Sequence, residues 1–265
     1  MIRNRIIGGD FRPYYRAVLL RAVSLGYVIP PLTCQHLQDR LIYNLITAGI
    51  WDQLDGLWVF SMKGGSAQFG TINLKNPTGT LATLENSPNL TFNDETGINN
   101  DGTVGHIDTK FAPLTHGVNF TQNANSAFIG LTINSGSSSA FVDFGNPNTR
   151  LRSLIAANTA SYRCNTGSDN NATIPASSNV GLHHLQRRGS ADQRLWKNGS
   201  NVGTTANASA ALSASTFFLC AQNNPGFGNP SPCRVGCFGV GGSLVGKEVA
   251  LNAIWQEYLT ELTLL

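Results

Sequence analysis

The sequence predicts a mainly β fold: an antiparallel two-sheet sandwich of jelly-roll type, preceded by a helical segment and closed by a C-terminal helix. Three observations predict it. Beyond residue 56, short apolar segments follow one another, parted by clusters of Gly, Asn, Ser, Thr and Pro, which is the rhythm of a sandwich and not of βαβ units. Asn198-Gly199 lies between two such segments and suits a type I′ hairpin, whose central positions both need positive φ. Only 12% of the 265 residues are Asp, Glu, Lys or Arg. That is about half the usual share, which leaves neutral polar residues to solvate the strand faces.

Residues 1–10 read as a basic, polar arm with Arg3, Arg5 and Gly8-Gly9 and no apolar periodicity. Residues 11–56 form a helical preface. Tyr15, Val18, Leu19, Ala22, Val23 and Leu25 recur at helical spacing, with Gly26 as a natural C-cap. Pro30-Pro31 forbids continuation. Thr33 is then expected as the N-cap of a second helix carrying Leu37, Leu41, Leu45 and Ile46 on one stripe and ending at Gly49. Adjacent helix positions diverge by about 100°, so Tyr14 and Tyr15 cannot both join that stripe. One ring faces outward beside the arm, which suits an anchor built from Arg3, Arg5, Tyr14 and Tyr15 for a protein neighbour; a frayed terminus is the alternative.

Residues 57–265 make the sandwich and its terminal helix. Strands are expected at 57–62, 127–133, 140–144, 151–157, 181–187, 193–197, 216–220 and 234–240, all between residues 57 and 243. From Lys247 to Leu262 the period becomes helical again, with Val249, Ile254, Trp255, Tyr258, Leu259 and Leu262 on a stripe.

Several function classes fall away. A net charge of +3 is too weak for a nucleic-acid binder, and Arg187-Arg188 reads as solvated surface. Cys34, Cys164, Cys220, Cys233 and Cys237 contain no CxxC pair, and Cys233 and Cys237 would stand about 13 Å apart on a strand, so they read as buried thiols in a reducing compartment. The opening residues have no apolar leader and no run is long enough to span a bilayer, which leads us to expect a soluble protein made in a cytoplasm.

Catalytic groupings are missing too. A glycosidase needs two carboxylates about 5–9 Å apart, and no alternating acidic strand provides them. Asp94-Glu95 reads as turn decoration, Asp143 as a lone ligand or an edge charge, and His183-His184 as two histidines on a solvated strand. Both Gly-Gly-Ser stretches, at 64–66 and 241–243, read as turns without the phosphate-loop lysine. Asp101 and Asp108 match no calcium-loop spacing. No catalytic residue, metal or cofactor is expected. Trp196 with Asn198 and Arg194 is the glycan-binding candidate, since sugar sites stack rings and hydrogen-bond hydroxyls with amides; packing across the strand pair is the alternative for the Trp.

Two sets of motifs carry a resemblance. The stretch 195–209, LWKNGSNVGTTANAS, resembles the hairpin of concanavalin A-like and laminin-G-like sandwiches. Gly26-Tyr27-Val28-Ile29-Pro30, Gly49-Ile50-Trp51, Leu54-Asp55 with Val59-Phe60, Leu74-Lys75-Asn76-Pro77, residues 105–123 and residues 238–262 resemble virion proteins of tailed bacteriophages, crAss-like phages included. The resemblance runs from residue 13 to 262. It implies a non-enzymatic structural component displayed on a head, neck or tail appendage, with other virion proteins and further copies of itself as partners and a glycan-binding adhesin as the alternative role. It brings no site residues with it.

Overall fold

In the computed structural model, residues 11–133, 142–154, 159–174 and 178–265 are described, of which 153 and 154 by their backbone alone. Helix α1 spans Pro13–Leu25 and α2 spans Leu32–Thr47. Strands follow as β1 (Leu54–Val59), β2 (Thr83–Glu85), β3 (Leu90–Asn93), β4 (Gly97–Asn100), β5 (His106–Asp108) and β6 (Asn125–Ile133). Next come β7 (Phe144–Gly145), β8 (Arg150–Leu154), β9 (Thr159–Arg163), β10 (Asn170–Thr173), β11 (Gly181–Gly189) and β12 (Asp192–Lys197). The last are β13 (Ser200–Thr205), β14 (Phe218–Leu219), β15 (Gln222–Asn223), β16 (Phe227–Gly228) and β17 (Arg234–Gly241), before helix α3 (Glu248–Leu262).

Two sheets stack face to face. The first runs β13-β12-β11-β6-β17-β4-β3, with β1 also paired to β17; the second runs β10-β9-β8-β7-β14-β5-β2, with β15 paired to β7 and β16 paired to β15. Every pairing is antiparallel except a single parallel bridge between Gln222 and Gly145. The expected sandwich is therefore present, and Asn198 (φ 50°) and Gly199 (φ 77°) form its β12–β13 hairpin turn. Six of the expected strands lie within three residues of their observed bounds; the other two, 140–144 and 151–157, extend into residues outside the described set. The short strands β2–β5, β9, β10, β15 and β16 have no apolar run of their own and were not expected.

Side chains of the first sheet alternate between two cores. Ala127, Ile129, Leu131, Leu185, Leu195 and Val235 point into the space between the sheets, where they meet Phe111, Phe144, Phe217 and Leu219. Phe128, Leu182 and Cys237 point the other way, onto a layer made by all three helices. Trp255 of α3 sits close against the first sheet because β6 and β17 offer glycines beneath it: a Cβ at Gly130 would stand 2.8 Å from its indole nitrogen, and one at Gly236 3.1 Å from its ring. Tyr258 stacks on Trp255 at 5.3 Å and donates a 2.6 Å hydrogen bond to Ser61 O. No helix among the described residues is long and apolar enough to cross a membrane.

Helix bounds differ in detail from the sequence reading. Gly26 caps α1 as expected, in the left-handed region with its N–H on Ala22 O and Val23 O. The N-cap of α2 is Pro31, not Thr33, because the extended Pro31 (ψ 160°) lets Leu32 open the helix and leaves Thr33 exposed inside it. In α3 the buried stripe is Glu248, Leu251, Trp255, Tyr258 and Leu262, while Val249 is turned out to solvent.

Candidate functional site

Two of the glycan-binding trio read from the sequence are held by structural bonds. Asn198 Oδ1 accepts the Leu182 N–H at 2.9 Å, fixing the hairpin tip, and Arg194 is paired with Asp192 at 3.1 Å. Trp196 is half-buried on the helix-facing side of the first sheet, opposite His184 and Asn201. Of the attachment residues, Arg3 and Arg5 lie outside the described residues. Tyr14 is 48% exposed with its ring edge-on to Trp51, whereas Tyr15 is buried and donates to Gln38 Oε1 at 2.8 Å, so the two rings diverge as helix geometry requires.

Other assignments need correction. His183 and His184 are both buried, because sheet two covers one face of β11 and the helices cover the other. Burial pushes His183 down to about 4 and His184 down to about 3. Arg187 is not solvated either. It is fully buried and donates to four carbonyls, those of Cys164 (2.7 Å), Gly189 (3.1 Å), Ser190 (3.1 Å) and Asn207 (3.2 Å). Asp143 is buried rather than an edge charge, and its carboxylate accepts from Ser231 Oγ at 3.1 Å. Asp94-Glu95 sits in a turn as expected, with Glu95 paired to Lys63. All five cysteines are buried thiols; Cys220 and Cys233 touch, with their sulfurs 3.2 Å apart. Among the described residues no three His, Cys, Asp or Glu side chains group to hold a metal ion.

The site that stands out is a cleft of about 140 Å³ between β1, the loop 73–80 and the segment 109–116. Its walls come from three segments that carry sequence motifs: Asp55, with Trp58 nearby on β1; Asn76, with Asn73 just before its motif; and Lys110, Phe111 and His116 from residues 105–123. Asp55 ties these segments together. Its carboxylate accepts the main-chain N–H groups of Val118 (3.2 Å), Asn119 (2.9 Å) and Phe120 (2.8 Å), which shapes the loop after His116. Asn73 Oδ1 accepts from Leu57 N and Lys75 N, both at 3.0 Å, which fastens the second segment to β1. Trp58 and Phe111 are buried at the back of the cleft as part of the inter-sheet core.

Lys110 stands in the left-handed region (φ 58°), a strained placement for a side chain that longer than Gly. Asp108 compensates, accepting the Lys110 N–H at 2.9 Å and its ammonium at 2.7 Å, while Glu85 approaches to 3.5 Å. Burial alone would pull the Lys110 ammonium down. The Asp108 hydrogen bond and the charges of Asp108 and Glu85 outweigh it, so its pKa lies above the ordinary value. His116 Nδ1 accepts the Ala112 N–H at 2.9 Å, which leaves Nε2 to carry the ring's proton as a donor on the exposed side. Such a cleft combines aromatic walls with amides, hydroxyls, an imidazole and a paired cation.

The sequence matches no protein-family model and no curated protein. Among solved structures, the chain is similar to a mutant of Trypanosoma rangeli sialidase displaying trans-sialidase activity, with a TM-score of 0.57 at 10% identity over 85% of this chain and 39% of that one. It is also similar to the botulinum neurotoxin serotype D binding domain, with a TM-score of 0.50 at 10% identity over 79% of this chain and 53% of that one. The likeness is one of fold. The chain spans well under two thirds of each of these proteins, so the comparison supports the β-sandwich architecture and leaves the cleft to be judged on its own residues.

Proposed function

We propose that the chain is a non-enzymatic glycan-binding module and that the cleft lined by Asp55, Trp58, Asn73, Asn76, Lys110, Phe111 and His116 is its sugar site. The observation that carries this reading is the lining itself: two aromatic side chains backed by core, with amide, hydroxyl and imidazole groups at the mouth. Sugars are held by such mixed walls, through ring contacts and directed hydrogen bonds. A sialidase and a toxin binding domain share the sandwich, which makes a sugar ligand a natural first choice to test.

Catalysis has little support in the lining. Asp55 is the sole carboxylate among the described lining residues and its oxygens are engaged by main-chain amides. Glycosidases use a second carboxylate or, in sialidases, a tyrosine nucleophile, and no tyrosine lines the cleft.

A glycan array probed with the full chain and with a double variant, Asn76→Ala with His116→Ala, tests the reading. Both residues are exposed, so the fold should tolerate the change while the wild-type signal is lost. Equal signals, or none from either protein, would overturn it.

The virion setting implied by the resemblance is compatible with this role, with the module displayed on a particle and attached through its helices. Tyr14, Leu20, Val28 and Leu32 expose apolar area on α1, α2 and their connection, which favours a protein neighbour there. Removing residues 1–10 should leave the melting temperature unchanged and abolish incorporation into particles; normal incorporation would exclude the arm as the anchor.

A further inference from the structure

We infer that Cys220 and Cys233 form a covalent modification site, a buried dithiol that closes to a disulfide between the two sheets when a disulfide oxidant is present. Position is the first argument. Cys220 follows β14 of the second sheet and Cys233 precedes β17 of the first. Their sulfurs lie 3.2 Å apart, so a bond of about 2.05 Å needs an approach of only about 1 Å. The other three thiols stand apart from this contact. Cys164 Sγ donates to Asn125 Oδ1 at 3.1 Å, and Cys34 and Cys237 belong to the core beneath the helices.

The backbone around the two cysteines is fixed, which is the second argument. Cys220 N donates to Asp143 O at 2.7 Å, and Cys220 O accepts the Ser231 N–H at 2.8 Å. Asn100 joins both ends: its main-chain N–H goes to Cys233 O at 3.1 Å, and its side-chain amide to Cys220 O at 3.4 Å and Ser231 O at 3.2 Å. These bonds hold Cys220 in the left-handed region (φ 59°), an uncommon placement for a residue other than Gly. So held, each thiol is the nearest partner for the other once either has been activated.

Both sulfurs are buried, so exchange proceeds through an opening of the connecting segment, whose residues 224–227 are exposed. In the closed state burial and the adjacent Cys220 push the Cys233 thiol up, which keeps it protonated and slow to react. Once the segment opens, the thiolate of one cysteine attacks oxidised glutathione and releases one glutathione thiolate. The second cysteine then attacks the mixed disulfide and releases the other. One S–S bond breaks and one forms, two electrons pass from the cysteines to glutathione, and the two cysteine protons end on the glutathione thiols. The product closes residues 220–233 into a loop and ties sheet to sheet, which removes freedom from the unfolded chain.

The test compares the full chain kept in reductant with the full chain incubated in oxidised glutathione, both then alkylated in denaturant and cut with trypsin. Lys197 and Arg234 bound a peptide of residues 198–234 that holds both cysteines, while Cys34, Cys164 and Cys237 fall in three others. After oxidation the 198–234 peptide should carry no alkyl group and weigh two hydrogens less than the free dithiol. The other three should be alkylated in both portions. The melting temperature of the oxidised chain should be roughly 5–10 °C higher, and Cys233→Ala should abolish that shift while Cys164→Ala retains it. The peptide masses are read on the unaltered chain, so they decide the outcome even where Cys233→Ala fails to fold. Two alkyl groups on the oxidised peptide, glutathione left attached to it, or a crosslink to another cysteine would overturn the inference. So would an unchanged or lower melting temperature in a chain that carries the bond.

Discussion

The imidazole of His184 meets no hydrogen-bond partner at either nitrogen among the described residues and packs edge-on to Phe128 at 6.3 Å. Such a ring is tolerable only uncharged. Above pH 6.5 both buried histidines are neutral in folded and unfolded chains and cost nothing. As pH falls below 6.5 the unfolded chain takes up protons that the folded chain refuses until about 4 at His183 and about 3 at His184. Stability is therefore lost through that window, on the order of 3 kcal/mol for each ring by pH 4.5. Denaturant melts at pH 7 and pH 4.5 should show the loss, and His184→Phe should remove about half of it. Asp169, held down to about 2 against its burial by hydrogen bonds and charge from Arg150 and Arg163, adds a separate loss only below its ordinary pKa of 3.8. At Arg187 the expectation is larger and independent of pH near neutrality. Arg187→Met strands four carbonyls and should cost at least about 3 kcal/mol in the same melts. Neither environment was legible in the sequence. A strand of alternating polar residues looks half-solvated, and nothing in HHLQRR says that helices from both ends of the chain cover its second face.

Elements with their own local chemistry were read well. The Asn198-Gly199 turn and the Gly26 cap follow from positive φ, which only a few residues accept, so their identity is visible in one or two letters. The contact that seats α3 is different in kind. Trp255 needs bare backbone at Gly130 and Gly236, two positions more than 100 residues apart in the chain, and no spacing rule links them. Gly130→Ala should overpack the indole and destabilise by about 1–3 kcal/mol, while Trp255→Ala should cost about 3–5 kcal/mol by opening a cavity. Thermal unfolding of the two variants checks both figures. The double variant should lose less than the sum, because the added methyl then has space to occupy.

At the scale of the molecule, the cleft shows why a site is harder to read than a fold. Its walls come from residues 55–58, 73–80 and 109–116, segments that overlap three motifs noted for their likeness to one family but that the sequence analysis did not bring together. What joins them is the Asp55 carboxylate on the amides of residues 118–120, a bond across more than sixty residues. Periodicity reports which side of a strand is apolar; it carries no information on which loops meet.

Strand β17 pairs at once with β6, β1 and β4, and it lies late in the sequence, at Arg234–Gly241. After β1 is finished at Val59 the ribosome must make about 175 further residues before the strand that closes the first sheet is available, roughly nine to thirty-five seconds at ordinary elongation rates. As each is made in turn during that interval, β1, β4 and β6 present bare edges, flanked by neutral residues with little charge to keep nascent chains apart. High contact order of this sort also slows folding after release, into the millisecond-to-second range. A chain stopped at residue 233 should be digested by protease under conditions that leave the full chain intact. Lowering the number of chains made at once, with a weaker promoter at unchanged temperature, should raise the soluble fraction of the full chain, since fewer unfinished sheets would then meet one another while waiting for their last strand.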